Sequence, residues 1–208
     1  MNREILKLYA VTDKSCLHGK TLAGIVEQVL QNGVSILQLR EKYLTGSELL
    51  AEALQIKDIC RKYNVPLIIN DDVELAAAIK ADGVHLGQDD GDIRSARKIL
   101  GPKAYIGVSA HNVAEAVAAE SAGADYLGCG AVFTTSTKSG TTHLAVESLR
   151  EICSTVSIPA VAIGGICTDN ISLLRGSGIA GVAVASALFG AADPVACAQR
   201  LLCEVENL

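Results

Sequence analysis

The amino-acid sequence predicts an α/β fold, a (β/α)8 TIM barrel that forms a single domain over residues 1–208. Three observations lead to this fold class. Eight short aliphatic runs alternate with eight amphipathic stretches, polar or glycine residues follow nearly every aliphatic run, and a length of 208 residues suits one domain. Strands that alternate with helices pair in parallel through right-handed crossovers. The composition, 50% hydrophobic and without Trp, is typical of parallel strands covered by helices.

The predicted elements follow one another without a linker or a shift in composition. The strands are predicted at residues 7–12, 34–39, 66–69, 83–86, 104–108, 125–128, 159–163 and 181–185. The helices are predicted near residues 20–32, 46–63, 72–81, 91–100, 112–122, 145–154, 169–176 and 193–206. Glycine follows several helices, as in Asn32-Gly33 and Ala122-Gly123, where it allows the helix to end in the left-handed conformation.

An open, doubly wound sheet is the main alternative to the barrel. An open sheet gathers its ligands mainly at one switch point, whereas a barrel brings all eight carboxyl ends of its strands around one mouth. Polar or glycine residues follow strands throughout this chain, from Thr12-Asp13 to Ser186. Their wide distribution favours the barrel.

Charge and composition argue against several classes of partner. The net charge of −5 makes nucleic acid and anionic membranes poor partners. No apolar run reaches the roughly 18 residues of a membrane span, and the first residues lead into a strand without the apolar stretch of a signal peptide. The seven cysteines form no CxxC pair, which indicates reduced thiols in a cytoplasmic protein.

The segment 38–42, Gln-Leu-Arg-Glu-Lys, ends the second predicted strand with three hydrogen-bond donors. Side chains alternate along a strand, so Gln38, Arg40 and Lys42 share one direction, which differs from that of Leu39. An amide, a planar guanidinium and an ammonium that converge suit a phosphate or diphosphate. The alternative is a solvated run in which Arg40 pairs with Glu41.

Carboxylates follow the third and fourth predicted strands. One residue can cap each following helix, and we expect Asp72 and Asp89 to do so, which leaves Asp71 and Asp90 at adjacent strand ends. Two carboxylates roughly 4 Å apart repel by about 4 kcal/mol at an effective dielectric near 20, so a shared cation would relieve them. Few carboxylates together with phosphate oxygens and water form the typical Mg²⁺ site. The sequence therefore predicts that Asp71 and Asp90 bind magnesium.

The histidines show no spacing that would hold zinc. We interpret His85, which lies inside a predicted strand, as a structural residue. His111 follows the turn after the fifth strand and is a candidate for the border of the site.

Two further segments extend the predicted mouth. Residues 129–143 form the longest polar break in the chain, which is either a solvated loop or a lid that excludes water from an anionic substrate. Gly164-Gly165 and Ser186 follow the seventh and eighth strands, where barrels often bind a phosphate. The sequence thus predicts two anion-binding regions and suggests two phosphorylated substrates.

The chain resembles the thiamine phosphate synthase family almost from end to end. The motifs that carry the resemblance are LYAVTD at 8–13, QLREK at 38–42, PLIINDD at 66–72, ADGVHLGQDD at 81–90, GVSAH at 107–111, TSTK at 135–138, AIGGI at 162–166 and GVAVAS at 181–186. Several short motifs in one order make this resemblance specific.

The resemblance implies two substrates and a cofactor. The pyrimidine diphosphate would contact Gln38, Leu39, Arg40, Glu41, Lys42, Asn70, Ser109 and Lys138, of which Arg40, Lys42, Ser109 and Lys138 would be catalytic. The thiazole phosphate, with or without a carboxylate, would contact Thr135, Ser136, Thr137, Gly165, Ala185 and Ser186. Asp71 and Asp90 would bind Mg²⁺. The reaction would join the pyrimidine methylene to the thiazole nitrogen and release diphosphate.

The sequence departs from the family pattern at three places. Gly130-Ala131 and Phe133-Thr134 stand where the family usually has Gly-Pro and Phe-Pro, and Ala185 stands where a larger aliphatic residue is common. These changes predict a loop after the sixth strand that is freer in its open state and a looser pocket for the thiazole phosphate.

Other functions remain compatible with a phosphate-binding barrel. A thiazole tautomerase would share the fold but is not expected to keep the whole diphosphate and metal set. A regulator would bind thiazole phosphate without turnover, and a phosphosugar isomerase would need acid–base carboxylates free of the metal. Each alternative implies small-molecule ligands and allows a homo-oligomer.

Overall fold

The computed structural model describes residues 1–135 and 143–208. In these residues the strands form a closed barrel in chain order, and every neighbouring pair is parallel. The strands are β1 Leu8–Val11, β2 Ile36–Leu39, β3 Leu67–Asn70, β4 Gly83–Leu86, β5 Tyr105–Ala110, β6 Tyr126–Gly130, β7 Ala160–Ile163 and β8 Gly181–Val184. The predicted (β/α)8 barrel is confirmed.

Helices surround the barrel and begin at the predicted places in most units. They are α1 Leu22–Leu30, α2 Gly46–Lys62, α3 Val73–Ile79, α4 Ile93–Leu100, α5 Val113–Ala122, α6 Val146–Thr155, α7 Ser186–Phe189 and α8 Pro194–Val205. Short 3-10 helices cover Arg3–Leu6, Lys14–Cys16 and Ile171–Leu174. Within the described part of the chain, no helix has both the length and the apolar character that a membrane span requires.

Strand alternation divides the core into two layers. On β1, Leu8 and Ala10 pack outward with the helices, whereas Tyr9 and Val11 point into the barrel. The outer layer contains most of the buried aliphatic side chains, as expected where helices cover parallel strands. The interior is filled by a smaller cluster that includes Tyr9, Tyr126 and Ile68, so the barrel is a packed core with its cavity at one end.

The predicted helix at 169–176 is wrong in type and extent, because the segment forms only the 3-10 helix Ile171–Leu174. The side chain of Asn170 donates to the carbonyl of Gly165 (2.8 Å) and accepts from the N–H of Cys167 (2.9 Å). An Asn side chain that bonds to nearby backbone competes with helix formation. These two bonds fold the segment into a turn against the end of β7.

The predicted caps of α3 and α4 are half correct. Asp72 is the N-cap of α3, where its carboxylate accepts from the N–H of Leu75 (2.8 Å). Asp89 was expected to cap α4, but that helix begins at Ile93 and its N-cap is Asp92, which accepts from the N–H of Ser95 (2.8 Å). Because the turn after β4 is longer than expected, the cap lies further along the chain.

We predict that Asp72→Ala lowers the free energy of unfolding by about 1 kcal/mol, because the first turn of α3 loses its capping acceptor. The matched variant Asp89→Ala removes a nearby carboxylate that caps no helix, and it should change stability by less than about 0.5 kcal/mol. Urea unfolding followed by circular dichroism measures both. Equal losses in the two variants would contradict the assignment of the cap.

Candidate active site

One cavity opens at the carboxyl ends of the strands and collects most of the residues that the sequence singled out. The predicted residues that line it are Gln38, Arg40, Lys42, Asn70, Asp71, Asp90, Ser109, Thr135, Gly165, Ala185 and Ser186. They come from strands and loops on all sides of the barrel. The closed sheet therefore brings together side chains as far apart in the sequence as those of Gln38 and Ser186.

Two predicted substrate contacts lie elsewhere. The side chain of Leu39 packs in the outer layer between the barrel and the helices, and Glu41 does not line the cavity. Strand alternation explains the position of Leu39, because Leu39 follows the inward-facing Gln38 on β2. Glu41 lies beyond the end of β2, and its ion pair with Lys14 draws it away from the cavity. The predicted residues Ser136, Thr137 and Lys138 lie outside the described residues.

Glu41 belongs to a cluster of charges behind the cavity wall. Its carboxylate lies 2.9 Å from Lys14 Nζ, which also lies 3.0 Å from a carboxylate oxygen of Glu52. Burial alone would raise the pKa of Glu41, but Lys14 and the N–H groups of Tyr43 and Leu44 outweigh it and lower the pKa to about 2. Burial raises the pKa of Glu52, and the charge of Glu41 adds to this effect. Glu41 therefore pairs with Lys14 rather than with Arg40.

Asp71 and Asp90 face one another across the ends of β3 and β4. Asp71 accepts from Lys42 Nζ at 2.7 Å, and Asp90 accepts from the N–H of Gly87 at 2.9 Å. Burial raises the pKa of Asp90, and the adjacent Asp71 carboxylate raises it further. Asp71 has a φ of +64°, a left-handed conformation that is uncommon outside glycine and often found at functional sites. The loop thus holds two carboxylates together at an energetic cost.

This donor set fits a magnesium ion. It provides hard oxygen donors on two mutually repelling carboxylates at the open end of the cavity. In the part of the chain that the structure describes, no group of three or more His, Cys, Asp or Glu side chains is assembled that could enclose a metal. Magnesium commonly takes one or two carboxylates and completes its octahedron with water and substrate phosphates.

His85 and His111 also line the cavity. His85 extends inward from β4 and bonds through Nε2 to Ser109 Oγ (3.1 Å) and through Nδ1 to Tyr126 Oη (3.2 Å). The structural interpretation of His85 is confirmed by its burial and by these two bonds, but it gave the ring no place at the cavity floor. The sequence did contain a sign that a ring lies here, because glycine inside a strand often marks the close approach of another group. Gly107 and Gly128 are such glycines, and a Cβ atom at either position would lie within 3.0 Å of the His85 ring.

His111 lies at the cavity border, as the sequence suggested. Its ring Nδ1 is 2.8 Å from Glu115 Oε2, which also accepts from the His111 backbone N–H. The Glu115 carboxylate thus fixes the ring at the start of α5.

Gly164 and Gly165 allow the chain itself to approach closely. The segment that follows β6 adds to the end of β7 through bonds from the N–H of Val132 to Ile163 and from Phe133 to Gly164, each 3.0 Å. A Cβ at Gly165 would lie 2.3 Å from the carbonyl oxygen of Thr134, and both glycines have positive φ angles. This close approach places Thr135 beside Gly165 at the cavity.

The fold and the cavity define a TIM-barrel enzyme whose site combines cations, paired carboxylates and a glycine-rich turn at the carboxyl ends of the strands. The sequence profile of the thiamine monophosphate synthase family matches residues 8–188. The chain belongs to this family, and the resemblance found in the sequence motifs is confirmed.

Individual relatives agree with this assignment. The chain is 45% identical to thiamine-phosphate synthase 2 of Streptococcus pneumoniae, over 100% of this chain and 99% of the relative. It is 46% identical to the thiamine-phosphate synthase of Clostridium novyi, over 88% of this chain and 90% of the relative. The solved structure of a thiamine phosphate pyrophosphorylase from Pyrococcus furiosus superposes with a TM-score of 0.89 at 37% identity and covers 98% of this chain and 97% of the other.

We predict that Lys14→Met lowers the free energy of unfolding by about 2 kcal/mol at pH 7.5, because two largely enclosed carboxylates, Glu41 and Glu52, lose their counter-charge. Without Lys14, burial and the mutual repulsion of Glu41 and Glu52 raise the folded-state pKa of this pair above the unfolded value of about 4.3. Protonation then stabilises the folded variant, so the deficit should shrink as the pH falls toward 4.5 and grow as it rises. Urea unfolding at both pH values tests this.

The control for this prediction is the double variant Lys14→Met/Glu52→Gln, which also removes one of the two negative charges. It should recover most of the stability at pH 7.5. A deficit of the single variant that is independent of pH would show that Lys14 acts through packing alone.

Proposed function

We propose that this protein is a thiamine phosphate synthase. It joins 4-amino-2-methyl-5-hydroxymethylpyrimidine diphosphate to 4-methyl-5-(2-phosphoethyl)thiazole, and it is a transferase that releases diphosphate. The observation that carries the proposal is the convergence of Arg40 and Lys42 with the Asp71–Asp90 pair in one cavity of a chain of this family. A pyrimidine diphosphate needs both a cationic site and a site for a divalent metal.

The bond changes require no acid or base at the reacting carbon. The carbon–oxygen bond between the pyrimidine methylene and the diphosphate breaks, and the electron pair leaves with the diphosphate oxygen. The thiazole nitrogen donates its lone pair to the methylene carbon and becomes a thiazolium nitrogen. The work of the protein is therefore charge stabilisation, orientation and exclusion of water.

The diphosphate is proposed to bind at the side of the cavity formed by the ends of β2, β3 and β4. Arg40 offers a planar fork of donors and Lys42 a mobile ammonium, both suited to phosphate oxygens. The backbone of Arg40 is fixed because its N–H donates to the buried Thr12 hydroxyl (2.8 Å), which donates back to the Arg40 carbonyl (3.1 Å). This bond pair ties the end of β2 to the residue after β1.

Asp71 and Asp90 would hold Mg²⁺, which when bound neutralises negative charge on the departing diphosphate. The ammonium group of Lys42 lies 2.7 Å from the Asp71 carboxylate and forms an ion pair with it. On substrate binding we expect this ammonium to turn from the carboxylate to the diphosphate, because the metal then balances the charge of Asp71.

The pyrimidine ring is proposed to lie over Gln38, Asn70 and Ser109 at the cavity floor. The thiazole phosphate is proposed to lie on the opposite side, where Thr135, Gly165 and Ser186 supply hydroxyl and backbone donors. Lys138, Ser136 and Thr137 retain the roles that the resemblance implies, the first at the diphosphate and the others at the thiazole phosphate. We propose that in this arrangement the thiazole nitrogen lies next to the pyrimidine methylene carbon.

The activity is tested by incubating the protein with both substrates and Mg²⁺. We predict the formation of thiamine phosphate and diphosphate in equal amounts, measured by chromatography and by a coupled diphosphate assay. Tight binding of thiazole phosphate without any product would favour a regulatory barrel. Conversion of one thiazole isomer without release of diphosphate would favour a tautomerase.

We predict that Asp90→Asn lowers kcat/KM by a factor of roughly 100, because even the loss of a residue that only supports a metal ligand typically costs about 10–100-fold, and that it raises the Mg²⁺ concentration needed for half-maximal rate. Its thermal stability should not fall, because the substitution removes repulsion with Asp71. The matched variant Asp89→Asn makes the same charge change one residue away, outside the cavity, and should keep its activity. Similar losses in both variants would argue against the proposed metal ligands.

A further inference from the structure

A continuous chain of hydrogen bonds crosses the interior of the barrel directly beneath the cavity. It runs from Gln38 on β2 through Tyr9 on β1, Tyr126 on β6 and His85 on β4 to Ser109 on β5. The successive distances are 2.9, 2.8, 3.2 and 3.1 Å. Gln38, His85 and Ser109 face the cavity, whereas Tyr9 and Tyr126 are 1% and 0% exposed and lie below its floor.

Glycines on β5 and β6 leave room for the rings that form this chain of hydrogen bonds. A Cβ at Gly107 would lie 2.1 Å from Tyr126 Cζ and 2.6 Å from His85 Nδ1, and a Cβ at Gly128 would lie 2.9 Å from His85 Cε1. The rings of Tyr9 and Tyr126 pack at 5.9 Å between centroids, and those of His85 and Tyr126 at 5.6 Å. The bonds are therefore held between rigid, packed rings.

The chemistry of the donors gives the chain one direction. The Gln38 amide nitrogen can only donate, so the Tyr9 hydroxyl accepts from it and passes its own hydrogen to Tyr126. In this direction Tyr126 donates to His85 Nδ1, and the imidazole proton would then lie on Nε2, the atom that faces Ser109 Oγ. The hydroxyl hydrogen of Ser109 is left to point to an acceptor in the cavity, and the amide oxygen of Gln38 is left to accept.

Both phenols remain neutral in this environment. Burial raises the pKa of Tyr9, and the bonds to Tyr126 and Gln38 offset only part of the effect. Burial also raises the pKa of Tyr126 well above its usual value, and the neighbouring Tyr9 adds to this. Each hydroxyl therefore keeps the single hydrogen that the directed chain requires.

We propose that Tyr9 and Tyr126 are positioning residues which, through His85, fix Ser109 as a donor and Gln38 as an acceptor toward the bound pyrimidine ring. An aminopyrimidine carries ring nitrogens that accept and an exocyclic amino group that donates. The Ser109 hydroxyl can donate to a ring nitrogen, and the Gln38 amide oxygen can accept from the amino group. The inference rests on the proposed function, since it names the part of the substrate that the floor recognises.

The test replaces each buried phenol by phenylalanine, which keeps the ring and removes the hydroxyl. In Tyr126→Phe and Tyr9→Phe we expect the KM for the pyrimidine diphosphate to rise roughly threefold to tenfold, the change that one hydrogen bond accounts for. The KM for the thiazole phosphate and the inhibition constant of inorganic diphosphate should stay unchanged, because both bind away from the floor. Thermal melting shows whether each variant is folded.

Tyr63→Phe is the matched control, because the Tyr63 hydroxyl bonds to Glu27 (2.9 Å) outside the barrel. It should leave all three constants unchanged. A lower melting temperature of Tyr126→Phe with unchanged constants would overturn the proposal, since the phenol would then be structural only. Equal changes in all three constants would overturn it as well, because the effect would not be specific to the pyrimidine.

A second readout does not depend on catalysis. Nitrogen-15 NMR of the histidine rings, with His85 assigned by its loss in His85→Gln, should show neutral His85 with its proton on Nε2. In Tyr126→Phe, the preference for this tautomer should weaken. A proton on Nδ1 in the unmodified protein would refute the directed chain even if the protein is a synthase. The expected tautomer together with a lack of turnover would instead refute the proposed function.

Discussion

Closure of the parallel sheet is the constraint on which the site depends. Once β1 pairs with both β2 and β8, the carboxyl ends of all the strands in the described residues meet around one opening. Each strand then sends alternate side chains outward to the helices and inward to the barrel. The same alternation that buries Leu37 and Leu39 against the helices therefore directs Gln38 and Arg40 to the cavity.

The charges of the site are arranged in two shells. Lys42, Asp71 and Asp90 face the cavity, where substrate and metal can compensate them. Lys14, Glu41 and Glu52 form a second cluster behind β2, in which the charges compensate one another. The second cluster fixes Glu41, the residue between Arg40 and Lys42. The backbone that carries the two cations is therefore held by Lys14 as well as by the Thr12 hydroxyl.

Much of this arrangement could be predicted from sequence periodicity and punctuation. The order of strands and helices, the inward direction of Gln38, Arg40 and Lys42, and the cap at Asp72 are all local consequences of residue pattern. Prediction failed where a turn length or a side-chain bond decided the outcome. The cap of α4 is Asp92 rather than Asp89, and Asn170 replaces an expected helix by a turn.

The sequence by itself determined the fold class and the residue types that reach the mouth, because both depend on the short periods of strands and helices and on motifs in a fixed order. Only the tertiary structure decided that Glu41 pairs with Lys14 rather than with Arg40. It also decided that His85 belongs to a hydrogen-bonded floor with Tyr9 and Tyr126. These contacts join residues from different strands and loops, and a local pattern carries no information about which partner in another element a side chain meets.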